Sequence, residues 1–474
     1  MPARGQTPVV VLGAGPAGLG AAFRLANRKA FDVKVIERGL EVGGNAGSFN
    51  IAGLRVDFGS HRLHPSCAPE ILADIRQMLG GDLLDRPRHG RIRLRGRWVH
   101  FPLQPLDLLV NLPLKFSCGV AVDAATKKFG RNAQEENFAT VLEQGLGRTI
   151  CRDFYFPYAQ KIWGVQPAAL DAEQARRRVS AGSLGKMIGK VLNGIAGRKT
   201  KGKGRFYYPR KGFGQISEAY ACAATKAGAA LLLGTSVTGI EIENGRAVAV
   251  RVHSEQGEDR LPARQILSTI PISVLAQQLT PKAPAPVLAS AAALRFRAMI
   301  LVYLVLDTER FTEYDAHYFP DAEVTITRLS EPKNYGLATL PGTTVLCAEL
   351  PCSIGDPVWQ ASETELRDLV LEALAVAGIP VTAKVRGSAA RRLPNAYPIY
   401  NRDYQKHFNC IDDHLAGIDG LLTFGRQGLF AHDNTHHALA MAYAMSDCLD
   451  DTGALNKDKW QQHRGEFLKH VVED

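Results

Sequence analysis

The residue spacing richest in chemical meaning lies near the start of the chain, at Gly13-Ala14-Gly15-Pro16-Ala17-Gly18. In such a turn the first glycine permits a tight bend, the second lets backbone approach a pyrophosphate, and the third lets a helix sit closely on a strand. The phosphate would rest at the helix N-terminus, where unpaired N–H groups and the dipole favour negative charge. An apolar run, Val9-Val10-Val11-Leu12, precedes the turn, and the next one, Val33-Lys34-Val35-Ile36, ends at Glu37. A carboxylate there accepts ribose hydroxyls and repels a 2′-phosphate, an argument that Arg38 weakens only slightly. These residues indicate a dinucleotide and leave NAD open. The sequel Gly43-Gly44-Asn45, where two glycines let backbone pass a second part of the same cofactor, favours FAD.

Histidines and arginines supply the remaining chemistry. His61 and His64 could shuttle protons near neutral pH or be satisfied structural residues. His432, His436 and His437 form a second cluster whose spacing lacks carboxylate or cysteine partners, and the eight cysteines show no CxxC pair, so neither a metal nor a disulfide is expected. Asn434 and Thr435 would cap the last helix and leave backbone N–H groups to hold a flavin's pyrimidine oxygen. Arg328 lies between apolar neighbours on a strand, where an unpaired guanidinium is costly unless it faces a cleft or a partner. Arg177 sits in the run Arg176-Arg177-Arg178, which also reads as one solvated helix face. Tyr158 and Trp163 offer stacking surface, or simply core aromatics.

The elements that must position these groups follow from periodicity. Pro8 to Arg38 reads strand, turn, helix, strand. A helical, proline-punctuated stretch runs from about Pro105 to Gly197 and ends in a basic Gly-Lys loop from Arg198 to Arg210. Asn244-Gly245 marks a hairpin between Ile240-Glu241-Ile242 and Val248-Ala249-Val250. Strands resume from Ile300 to about Leu350, and a final helix runs from about His436 to Leu449. At 474 residues the chain exceeds one hydrophobic core. With 46% hydrophobic and 22% charged residues, it reads as a globular enzyme without an integral membrane segment or signal peptide, expected in the cytoplasm. A formal charge of +10, six of whose arginines fall between Arg86 and Arg97, favours anionic small molecules. Nucleic acid is not expected, because no binding module accompanies the charge.

Further motifs recur together in one family. Gly43-Gly44-Asn45, Gly59-Ser60-His61-Arg62-Leu63-His64, Tyr158-Ala159-Gln160-Lys161-Ile162-Trp163-Gly164 and Tyr208-Pro209-Arg210-Lys211-Gly212 come first. Asp321 to Arg328 with Glu331, and Gly425-Arg426 followed by His432-Asp433-Asn434-Thr435-His436, come later. In this order they resemble segments of UDP-galactopyranose mutase, within the superfamily of FAD-dependent amine oxidases, protoporphyrinogen oxidases and carotenoid desaturases.

The resemblance implies an α/β fold: a Rossmann-like FAD-binding domain of the GR2 type, a mixed-sheet substrate domain and a helical cap. The expected FAD-binding segments are 1–90, 205–290 and 395–474, the substrate-domain segments 91–104 and 291–394, and the cap 105–204. FAD contacts are expected at Gly13, Gly15, Gly18, Glu37, Arg38, Gly43, Gly44, Asn45, Gly59, His61, Val237, Gly425, Arg426, Asn434 and Thr435. Tyr158, Trp163, Arg177, Arg328 and Trp359 would hold substrate, with Arg177 and Arg328 on a diphosphate; His61, His64, Arg177, Arg328 and His432 would be the catalytic set. The implied reaction is a pyranose/furanose isomerisation of a nucleotide-linked sugar, with FAD in its reduced form and a homodimer as the assembly. The chain departs from the family pattern where His432 and Asn434 replace a tyrosine and an aspartate, and where a tyrosine-rich segment shrinks to Trp359. These departures keep an FAD oxidoreductase, and a flavin-stabilised scaffold, as alternatives.

Overall fold

A computed structural model describes residues 5–101, 107, 111–126, 135–178, 204–336 and 340–472. The first βαβ unit consists of strand Thr7–Leu12, helix Pro16–Asn27 and strand Phe31–Ile36, with the two strands parallel. Val9, Val11, Val33 and Val35 are buried and form one core with Ala21, Ala22 and Leu25 of the helix. The first strand, whose Val9 to Leu12 are all buried, reads as a continuous apolar run, whereas Phe31–Ile36 alternates, its Asp32 and Lys34 only partly buried.

Around this unit a five-stranded parallel sheet is completed from distant parts of the chain. Its order is Leu421–Thr423, Gln265–Ser268, Thr7–Leu12, Phe31–Ile36 and Ala230–Leu232. Helix Thr435–Asp447 lies against helix Pro16–Asn27, close enough that a Cβ on Gly20 would sit 3.0 Å from Leu439. A second, four-stranded sheet contains the hairpin Ser236–Glu243 and Arg246–Ser254, turned by Asn244 (φ 50°) and Gly245 (φ 77°). Positive φ at both central residues is the geometry for which Asn-Gly is favoured.

The third sheet has seven strands in the order Val385–Ile399, Arg295–Leu306, Thr344–Cys352, Arg328–Ser330, Ala316–Tyr318, Gly90–Leu94 and Arg97–Phe101. Strand Val385–Ile399 runs past the boundary expected at 394/395, because its register with Arg295–Leu306 continues to Ile399. The helical stretch supplies Leu114–Thr126, Phe138–Leu146, Phe156–Trp163 and Ala172–Arg178; Asn137 caps the second of these by accepting the Thr140 N–H at 3.0 Å. Of the expected basic loop, 198–203 lies outside the described residues, and Arg205–Pro209 is not loop but a strand paired with Leu83–Pro87. The helix Thr435–Asp447 is not the last, since Lys457–Phe467 follows it and buries Trp460 and Phe467. Among the described residues no helix is long and apolar enough to cross a membrane.

Candidate active site

A cleft of about 1560 Å³ runs from the glycine turn to the seven-stranded sheet and the helical stretch. Gly13, Gly15, Glu37, Arg38, Gly44, Asn45, Val237, Arg426, Asn434 and Thr435 line one part of it. The glycine turn is obligatory by geometry. Gly13 has φ +98°, and a Cβ on Gly18 would lie 1.9 Å from the Gly13 carbonyl oxygen. Gly15, by contrast, faces open space. Glu37 is held by its own backbone surroundings, Oε2 accepting the Ala14 N–H and Oε1 the Gly39 N–H, each at 2.9 Å.

The other glycines shape the same cradle from behind. Gly43, at φ +112°, donates its N–H to the Ala14 carbonyl at 2.8 Å, which fixes the second motif against the first. A Cβ on Gly425 would stand 2.7 Å from the Ala17 Cβ, so the Gly425–Gly428 turn can touch the first helix only as glycine. Asn45 and Gln427 both donate to the Asn395 carbonyl, at 3.2 and 2.8 Å. Arg426 donates to the Ala396 carbonyl at 2.8 Å, yet its Nε and the Gln427 Oε1 are buried without a partner. A cradle open at Gly15, with under-bonded polar atoms along its floor, fits a dinucleotide whose phosphates and carbonyls would satisfy them.

His61 and His64 also line the cleft. The His61 ring stacks on Phe213, centroids 5.3 Å apart, and its Nε2–H donates to the Phe58 carbonyl at 2.8 Å, which leaves Nδ1 as an acceptor. Burial lowers its pKa, so the imidazole is neutral. The turn carrying it is anchored by buried Asp57, which accepts from Ser48 Oγ at 2.6 Å, from the Phe213 N–H at 2.8 Å and from the Tyr208 hydroxyl. Gly59, at φ +95°, does not reach the cleft; it lies under it, against Glu349.

On the opposite wall are Tyr158, Trp163, Arg178, Tyr318, Arg328, Glu349 and Tyr397. Arg328 donates through Nε and Nη2 to one oxygen of buried Glu349, at 2.9 and 2.6 Å. Burial opposes the charge, but Glu349 outweighs it and holds the Arg328 pKa well above its ordinary value. Glu349 also accepts the Ser60 N–H at 3.1 Å.

Three of the expected substrate-binding or catalytic residues stand elsewhere. Arg177 is buried away from the cleft and pairs with Glu173 at 2.7 Å; its neighbour Arg178 faces the cleft instead, its guanidinium 5.3 Å from the Trp163 ring and 5.0 Å from the Tyr397 ring. One helical residue is a rotation of about 100°, enough to exchange the two. His432 is fully buried behind Trp163, hydrogen-bonded to Gln174, with its pKa driven down by burial and by nearby arginines. Such a histidine supports the wall and carries no mobile proton. Trp359 packs into the core of the seven-stranded sheet, because helix Pro357–Gln360 covers that face.

The histidine cluster near the end of the chain contains a carboxylate the motif spacing concealed. The Asp433 side chain, fully buried, accepts from His470 Nδ1 at 3.1 Å, and the His437 ring lies beside it, Nδ1 at 3.4 Å. His437 Nδ1 accepts the Asn434 N–H at 3.2 Å, which makes the group a hydrogen-bonded clamp on the helix start. These bonds outweigh burial and hold the Asp433 pKa down at about 2. Residues unnoticed in the sequence include Arg62, Arg88, Arg178, Glu349 and Tyr397, all on the cleft. Glu349 and Tyr397 stand outside every motif, Arg178 was one of three identical neighbours, Arg88 was one of six clustered arginines, and Arg62 was overshadowed by the two histidines of its own motif.

Comparison with known proteins places this geometry. Across 99% of this chain and 100% of the other, the fold superposes on a reduced UDP-galactopyranose mutase with a TM-score of 0.81 at 18% identity. A cyclohexylamine oxidase from Brevibacterium oxydans superposes over 93% of this chain and 99% of that one, with a TM-score of 0.62 and 17% identity. A phytoene dehydrogenase from Streptomyces griseus is 25% identical over 321 residues, covering 59% of this chain and 57% of that protein, so the match spans little more than half of that relative. Residues 16–406 match the flavin-containing amine oxidoreductase family, and the chain is therefore a member of that family, an enzyme whose cofactor is FAD.

Proposed function

We propose that the chain is an FAD-dependent isomerase of a nucleotide-linked sugar, interconverting pyranose and furanose forms. The observation that carries this reading is the charge of the cleft. Seven arginines line it (Arg38, Arg62, Arg88, Arg178, Arg205, Arg328, Arg426) against three carboxylates (Glu37, Glu349, Asp433). Such a field repels a protonated amine and is wasted on a hydrocarbon chain, but it suits a diphosphate. Aromatic residues Tyr158, Trp163 and Tyr397 beside it give a base or sugar a stacking face.

FAD, when bound, supplies an N5 that is nucleophilic in the reduced cofactor and accepts hydride in the oxidised one. The glycine cradle, Glu37, Arg38, Asn45, Val237, Arg426, Asn434 and Thr435 would hold it. Arg178 and Arg328 would receive the departing diphosphate, and neutral His61 would orient the reacting groups through Nδ1. The segments 1–90, 205–290 and from about 400 onward would form the FAD lobe. A second reading, an FAD oxidoreductase of an anionic substrate, is favoured by the pairing of Arg328 with Glu349, which leaves less free cation for a leaving group. Anaerobic incubation of the oxidised and dithionite-reduced holoenzyme with nucleotide sugars separates the two. A furanose product from the reduced form alone supports the isomerase; bleaching of the oxidised flavin by substrate supports the oxidoreductase.

A further inference from the structure

Arginines on and beside the seven-stranded sheet differ in how they are bonded. Arg328 has Glu349 at 2.6 and 2.9 Å, and Arg93 has Asp321 and Glu323 each at 2.6 Å. Arg62 differs. Its side chain is 8% exposed, wedged over the rings of Phe206 at 5.0 Å and Tyr335 at 5.4 Å, and its polar contacts are all longer than those of Arg328 and Arg93. Nη1 reaches the Tyr318 hydroxyl at 3.3 Å and Nη2 lies 3.4 Å from Asp315, while Nε and Nη2 make no hydrogen bond. Asp315 is divided, its Oδ1 facing Arg62 beyond hydrogen-bond geometry while its Oδ2 accepts the His89 N–H at 3.1 Å.

A buried guanidinium with two unsatisfied nitrogens is costly by itself. A bidentate oxyanion would satisfy both, because the guanidinium fork matches two oxygens at once. The surroundings favour such a ligand. Arg62 and Arg328 share Tyr318, whose ring lies 5.9 Å from the Arg328 guanidinium carbon. Phe101, 5.2 Å from Tyr318, carries Arg88 at 5.6 Å, and all of these line the cleft. Arg62 belongs to the Gly59–His64 motif, but no expectation attached to it.

Resting on the reading of a phosphate-bearing substrate, we propose that Arg62 is the principal anion-gripping residue of the cleft, binding a phosphate oxygen pair at a subsite completed by Arg328, Arg88 and the Tyr318 hydroxyl. Arg328, already neutralised by Glu349, shapes this subsite more than it charges it.

The test is a titration of the FAD-loaded enzyme with inorganic pyrophosphate, followed by calorimetry and by perturbation of the flavin spectrum, without turnover. Arg62→Met should weaken binding by about ten- to a hundredfold. Arg62→Lys should keep the charge but lose the fork, with an intermediate loss. Asp315→Asn, which removes the competing carboxylate, should tighten binding several-fold, and it serves if Arg62→Met does not hold FAD. Equal affinity in wild type, Arg62→Met and Arg62→Lys overturns the assignment whatever reaction the enzyme performs, as does an Asp315→Asn variant that binds no tighter. If pyrophosphate fails to bind but succinate binds in an Arg62-dependent way, the subsite stands and the phosphate reading falls. If neither anion binds the wild type, both fall.

Discussion

Arg328 donates twice to a single oxygen of Glu349, so that pair is closed on itself inside a wall that otherwise carries net positive charge. Removing one member of a buried pair leaves the other uncompensated. Glu349→Gln should therefore destabilise the protein by about 2–4 kcal/mol, read as a lowered denaturant midpoint, while raising its affinity for pyrophosphate. A variant that loses stability and gains no affinity would mean that Arg328 does not face the ligand. Gly18→Ala carries an opposite lesson, since its Cβ would meet the Gly13 carbonyl at 1.9 Å. The helix must move off the turn, at a cost of about 1–3 kcal/mol, and the ratio of flavin to protein absorbance of the purified variant should fall. Such glycines were legible in the sequence because the backbone constraint is written in the residue type. Arg178 was not, because three arginines in a row offer the same chemistry and only helix phase separates them. His432 was hidden for another reason: nothing local distinguishes a histidine facing a ligand from one sealed behind a tryptophan.

Elements show the same division. The βαβ unit and the Asn244-Gly245 hairpin could be read directly, since periodicity and turn residues state them locally. The helix Lys457–Phe467 could not, because its residues are mostly polar and only Trp460 and Phe467 are buried. Two elements carry histidines with a cost at low pH. His317, on strand Ala316–Tyr318, is fully buried, and burial together with Arg91 pushes its pKa down to about 3. His436, at the start of helix Thr435–Asp447, is pushed to about 3 by burial and by neighbouring histidines. Both folded values lie below the unfolded one near 6.5, so the unfolded chain takes up protons first as pH falls. The stability is complete above roughly pH 6.5 and is lost progressively toward pH 3. Together the two should remove about 1–2 kcal/mol between pH 6.5 and 5.5. Equilibrium unfolding across that range measures it, and His317→Phe should make the dependence shallower; an unchanged slope would show that His317 does not contribute.

At the scale of the whole molecule, the sheet that carries the glycine turn is built from strands near residues 7, 31, 230, 265 and 421. Its neighbouring helix, Thr435–Asp447, is the one whose start Asp433 and His470 clamp. His470→Ala should loosen that clamp and speed release of FAD, measured as flavin fluorescence appearing on dilution. Chains ending before Leu421 should lack the Gly425–Gly428 turn and retain no flavin on gel filtration. No single stretch of sequence announced this arrangement, since beyond the first βαβ unit each strand is short and its partners lie far away in the chain.

That interleaving imposes an order on synthesis. A ribosome adding roughly 5–20 residues per second needs roughly 20–90 s to pass from the first strand to the helix that closes on it. For roughly the first 10–50 s of that time, until strands Ala230–Leu232 and Gln265–Ser268 have been made, the opening βαβ unit waits with two parallel edges unpaired, an arrangement prone to mispairing. The nascent enzyme should thus depend on chaperones early and on FAD supply late. Arrested chains stalled short of residue 447 should gain no protease protection from added FAD, and full-length released chains should gain it at once.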